Sequence, residues 1–120
     1  MYEYGINLRR VIDGDTIVAD IDLGFGVWLK DKHIRVAGVD CPEVKTAEGL
    51  AAREFTTQWM TQEAPDKYLV NVKTHKADKY GRILGSIGRT IHKTQCTYLL
   101  DALLLNQHGK PYDGGKKDVI

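Results

Sequence analysis

An excess of charge of either sign is missing from this chain: 17 lysines and arginines face 16 aspartates and glutamates over 120 residues, a formal net charge of +1 at pH 7. A strongly basic balance would by itself have pointed to nucleic acid. Here any polyanion binding has to come from local clustering, helped by a bound cation. Cysteine is scarce too. Cys41 and Cys96 form no C-x-x-C pair, and the histidines show no H-x-x-x-H spacing, which excludes a zinc-finger pattern. Two free thiols are a simpler reading than one disulfide. No apolar run approaches the roughly 18 residues that a bilayer demands. The start, Met1-Tyr2-Glu3-Tyr4, has neither a basic nor an apolar leader region, so the sequence as written carries no signal peptide and a cytoplasmic location is expected. Internal repeats and low-complexity tracts are also lacking.

What is present is an ordinary globular balance, 42% hydrophobic and 28% charged, enough for one core at this length. Ile6, Leu8 and Val11 lie in a strand-like pattern that ends at the turn signal Asp13-Gly14. Ile17, Ala19, Ile21 and Leu23 alternate over a second strand, Thr16 to Leu23. Gly24-Phe25-Gly26 breaks it. Val27 to Val39 reads as a third strand, interrupted near Lys30-Asp31-Lys32. From Thr46 to Glu63 the period changes, and Ala52, Phe55 and Trp59 mark one helix face. Tyr68 to His75 and Arg82 to Ile87 give a fourth and a fifth strand. Leu100, Leu103 and Leu104 stripe a second helix over Thr97 to His108, with Gly109 as its cap and Pro111 beyond.

This order predicts a mainly β, α+β chain: a five-stranded OB-fold Greek-key barrel with two helices. Residues 1–111 form the domain and 112–120 a flexible tail.

Asp15, Asp40 and Glu43 are carboxylates near turns between these strands. Arg35 projects from the strand that leads to Asp40, and Arg82 follows the turn Asp78-Lys79-Tyr80-Gly81. If the sheet closes, these segments meet at one rim. Carboxylate oxygens suit calcium or magnesium. A metal can polarise a phosphoryl oxygen, arginine can fork onto phosphate, and glutamate can take a proton from water. Singly, each residue has a plain explanation: Asp13-Gly14 as a hairpin turn, Arg35 as a solvated strand arginine, Glu43 as a first-turn acid. An EF-hand fails, because its fifth position would be Ile17 and its twelfth Gly24.

The segments Ile12-Asp13-Gly14-Asp15-Thr16, Arg35-Val36-Ala37-Gly38-Val39-Asp40-Cys41-Pro42-Glu43, Gly49-x-x-Ala52-x-x-Phe55 and Asp78-Lys79-Tyr80-Gly81-Arg82 come in the order found in the staphylococcal nuclease (thermonuclease) family, which this chain resembles over residues 4 to 109. The resemblance implies an enzyme, a calcium-dependent endonuclease-type phosphodiesterase that takes DNA, RNA or both and leaves 3′-phosphates. It implies Asp15, Asp40 and the Cys41 carbonyl as calcium ligands, with magnesium a poorer fit, and Glu43 as general base. Arg35 and Arg82 would clamp the phosphate and stabilise the transition state, Lys79 and Tyr80 would contact the nucleotide's phosphate end, and Tyr112 would supply part of an aromatic wall for the base. Family members are usually monomers. Cysteine stands at position 41 where the family commonly has threonine. The loop between strands two and three, around Gly24 to His33, is expected to be longer than in the best-known member, and a third, C-terminal helix after Tyr112 is not expected in the sequence as written. The competing expectations are a non-catalytic OB-fold module that binds nucleic acid or protein, and a metal-binding domain without a nucleic-acid role.

Overall fold

The computed structural model describes residues 2–61, 67–77, 82–91 and 95–112. The hairpin signals hold. Strand β1 (Tyr2–Asp13) runs antiparallel to β2 (Thr16–Gly24), Asp13 facing Thr16 across Gly14-Asp15. Strand β3 (Val27–Val36) returns along β2 after a turn in which Phe25 and Gly26 have φ of 56° and 77°. Positive φ at both centres gives the twist that a tight hairpin needs.

The expected interruption near Lys30-Asp31-Lys32 is a bulge. The pairing slips between Ala19 opposite Lys32 and Ile21 opposite Leu29, and Asp31 takes a φ of 54°. The Asp20 carboxylate accepts the freed Asp31 N–H at 2.9 Å. That bond, more than any other contact, holds the Asp20 pKa below the usual carboxylate value, and Arg9 and Lys30 add to the effect.

Helix α1 spans Ala47–Thr61. Thr46 starts it: its Oγ1 accepts the Gly49 N–H at 2.9 Å, as an N-cap does. Strand β5 (Lys67–Ala77) joins β1, and β6 (Ile83–Ile91) lies between β5 and β7 (Gln95–Tyr98). The sheet order is β3-β2-β1-β5-β6-β7, and a parallel pairing of Ile34, Arg35 and Val36 with Ile83, Leu84 and Gly85 curls β3 round onto β6. The core is a single apolar cluster inside this curl. Ile17, Ile34, Val36, Ile87, Leu99 and Leu103 are fully buried there.

Three expectations need correction. The third strand ends at Val36, since Ala37-Gly38 turns, and Val39–Asp40 forms its own short strand β4. The final helix is shorter: Thr97 and Tyr98 belong to β7, and α2 covers only Leu99–Leu105. It stops before Gly109. Gln107 takes the left-handed φ of 60°, its N–H donates to Leu104 O and the His108 N–H to Leu103 O, the paired bonds of a Schellman ending. Gly109 is small for another reason, since a Cβ there would collide with Val39 and crowd the Cys41 sulfur. Beyond it, β8 (Lys110–Pro111) pairs with β4, and the Tyr112 N–H donates to Gly38 O at 3.0 Å. The five expected strands are thus present as β1, β2, β3, β5 and β6, with β7 and the β4–β8 ribbon added. Among the described residues no helix is long and apolar enough to cross a membrane.

Candidate functional site

The site grows from the turn that joins β1 to β2 and from the end of β3. Helix α1 fixes the first of these, together with the loop at Glu43. Thr56, fully buried, donates its hydroxyl to the Gly14 carbonyl at 2.7 Å. A Cβ on Gly14 would come within 2.8 Å of the Ala52 Cβ and 2.9 Å of the Cys41 sulfur, closer than such atoms tolerate. One turn earlier on the helix, a Cβ on Gly49 would overlap the Glu43 carbonyl. The Gly49-x-x-Ala52 spacing therefore has a physical meaning. Its two small residues let the Asp13–Asp15 turn and the Glu43 loop press against one helix face.

Asp15 emerges from the turn nearly buried, 5% exposed. Its Oδ1 accepts the Thr16 hydroxyl at 3.0 Å and its Oδ2 the Cys41 N–H at 2.8 Å. Arg35, 8% exposed, lies between the acids: Nη1 is 3.4 Å from Asp15 Oδ2 and Nη2 is 3.5 Å from Asp40 Oδ1. Nη1 also donates to the carbonyls of Val36 at 2.9 Å and Val39 at 2.6 Å. Both Nη1 hydrogens are thus engaged with the backbone, and the fork that remains for an incoming anion is Nη2 with Nε. The Tyr112 ring sits over this guanidinium, 5.7 Å from its central carbon, a favourable cation–π placement. The β4–β8 ribbon makes this contact, and its two-residue strands leave almost no trace in the sequence.

Negative charge is crowded here. Burial chiefly, and then the hydrogen bond and charge of Asp15, push the Asp13 carboxyl up to about 7. A cation would relieve that repulsion. Among the described residues no three His, Cys, Asp or Glu side chains converge on one point. A metal would therefore rest on Asp15, Asp40, a backbone carbonyl and solvent. These are hard oxygen donors, which fit calcium or magnesium and not zinc. The Cys41 thiol does not alter that chemistry. Burial, with the charges of Asp15 and Asp13, pushes it up to about 12, so it stays protonated at neutral pH and is a poor soft-metal ligand.

The structure thus brings Asp15, Arg35, Asp40, Cys41 and Tyr112 together. Glu43 is attached differently. Its carbonyl accepts Thr46 N–H and hydroxyl, while its side chain is 72% exposed and pairs with Lys45 at 3.1 Å. Arg82, partly buried, stands one residue ahead of Ile83, which pairs with Ile34 on β3. Lys79 and Tyr80 lie outside the described residues. Sequence reasoning missed Thr56, because a helical threonine carries no signal of a tertiary bond.

The architecture and site define a mostly β protein with two helices and an acid–arginine site beside its curled sheet. No protein-family model matches the chain. A thermonuclease of Staphylococcus intermedius is 34% identical over 86 residues, 67% of this chain and 46% of that protein. A thermonuclease of Staphylococcus hyicus is 33% identical over 84 residues, 65% of this chain and 44% of that protein. Together these matches support a staphylococcal nuclease-like family for this chain. The chain spans about half the length of the curated relatives it matches.

Proposed function

We propose that this chain is a calcium-dependent phosphodiesterase with an OB-fold barrel, acting as a monomer to cut DNA, RNA or both internally and leave 3′-phosphates. The carrying observation is Arg35, set 3.4 Å from Asp15 and 3.5 Å from Asp40 at the end of β3. A guanidinium between two acids presents a phosphate-binding fork beside a hard-cation site. The β3–β6 pairing supports the barrel, and the two thermonuclease relatives support the chemistry.

In this reading Asp15, Asp40 and the Cys41 carbonyl would hold calcium, which when bound supplies Lewis-acid polarisation of a phosphoryl oxygen. Arg35 receives the phosphate on Nη2 and Nε, Arg82 is the second clamp, and both offset the charge that grows as water attacks. Glu43 takes the proton from that water as the water oxygen bonds to phosphorus, the P–O5′ bond breaks, and the 5′ oxygen leaves as a hydroxyl with a proton from solvent. Substrate has to draw Glu43 from Lys45, since catalytic contacts often tighten only once substrate is bound. Tyr112, Lys79 and Tyr80 serve the nucleotide's base and phosphate end.

One observation favours a second reading. The Glu43 side chain is 72% exposed and paired with Lys45, which suits an OB-fold module that binds nucleic acid without cutting it. Glu43→Gln separates the two. The enzyme reading predicts cleavage slower by at least about 10²-fold with oligonucleotide affinity retained. Binding without cleavage in both parent and variant establishes the module instead.

A further inference from the structure

Away from the acidic site, α1, α2 and the β6–β7 pair flank an open cavity of about 540 Å³, lined among others by Phe55, Trp59, Arg89, Tyr98, Asp101 and Leu105. That volume lies in the range of small-molecule sites. Arg89 is its unusual member. It is only 8% exposed, yet its Nε has no hydrogen-bond partner. No ion pair to it forms among the described residues. Its visible compensation is the face of Trp59, 5.6 Å from the guanidinium carbon. A largely buried guanidinium whose Nε lacks an acceptor is costly, and an anion offsets that cost. Asp101, exposed on α2, lines the same cavity and stands beyond ion-pair distance of Arg89. The cavity therefore offers a guanidinium and a separate carboxylate, with aromatic rings and an apolar side chain in the same wall.

We infer that this cavity is a binding site, distinct from the acidic site, for a flat organic anion: a phosphate or carboxylate for Arg89 and an amino N–H carried on the ring for Asp101. This holds whether or not the chain cleaves nucleic acid.

The test uses the whole chain with Trp28→Phe, so that Trp59 reports alone, and adenosine 5′-monophosphate (AMP) as probe, with adenosine and inorganic phosphate as comparators. Saturable quenching of Trp59 by AMP is expected, with adenosine at least about 10-fold weaker, the scale of one charge-assisted hydrogen bond. Arg89→Gln should remove that difference and Arg35→Gln should leave it intact. Asp101→Ala, an exposed change that does not threaten folding, should weaken AMP and leave phosphate unaffected. No saturable quenching, quenching indifferent to both Arg89→Gln and Asp101→Ala, or loss of AMP binding in an Arg35→Gln chain that still unfolds cooperatively would each overturn the inference, the last by assigning the probe to the acidic site.

Discussion

At the scale of single residues, Arg35 joins the fold to the proposed chemistry. Its Nη1 hydrogens tie the carbonyls of Val36 and Val39 across the Ala37-Gly38 turn, while the rest of the group lies between Asp15 and Asp40. Lysine has one compact ammonium and no planar fork. It can reach one carbonyl or one phosphate oxygen, but not this whole set. Arg35→Lys is therefore expected to lower cleavage by about 10²-fold or more and to lower the unfolding temperature. Parallel kinetic and thermal measurements check both, and normal cleavage would remove bidentate phosphate holding from the mechanism. Cys41 shows the opposite case. A residue that looks reactive beside the proposed metal site is packed against Gly14 and Gly109 and held as a thiol, so its side chain contributes shape, and only its backbone carbonyl belongs to the proposed ligand set.

At the scale of elements, α1 is the part that makes the site rigid. Thr56, Ala52 and Gly49 share its buried face and grip the Asp13–Asp15 turn and the Glu43 loop. Thr56→Val keeps the volume but leaves the Gly14 carbonyl without its donor, a loss of about 1–3 kcal/mol. Thr56→Ser should recover most of it. Chemical denaturation checks the stability, and turnover at saturating substrate should fall in the valine variant and return in the serine variant. The β2–β3 bulge gives a prediction in pH. The Asp20 carboxylate has its pKa lowered in the folded chain, first by the Asp31 N–H. Its stabilisation is present above the ordinary carboxylate value near 4 and lost as pH falls through the folded value. Asp20→Asn should lower the unfolding temperature at pH 7, and the difference from the parent should shrink below about pH 3. An equal difference at both pH values would show that the charge is not what matters.

Elements also explain what could be read from the residues. The alternation of Ile17, Ala19 and Ile21 gave β2 correctly because these three share the face that enters the apolar core, although Thr16, Val18 and Asp20 on the other face are buried as well. The register slip at Asp31 left its mark as the break near Lys30. The β4–β8 ribbon and the Thr56–Gly14 bond left none, since two paired residues have no period and a tertiary hydrogen bond has no sequence spacing. The Thr97 start of α2 failed because Thr97 and Tyr98 are taken by pairing with Arg89 and Gly88 on β6, so tertiary pairing overrode the local stripe. Asp15, Arg35 and Asp40 were legible as a set because their order follows the strand order that brings them together.

At the scale of the whole molecule, a net charge of +1 gives no general attraction for a polyanion. In the proposed reading, affinity for nucleic acid comes from the acid–arginine site and the cation it would hold, so cation and substrate should depend on each other. The most direct measurement is digestion of a single-stranded oligonucleotide by the purified chain in calcium, in magnesium and in chelator, with the new ends analysed. The account predicts internal cuts with 3′-phosphate ends in calcium, weaker cutting in magnesium and none in chelator. Cutting that persists in chelator, or no cutting in calcium by a chain that binds the oligonucleotide, would contradict it.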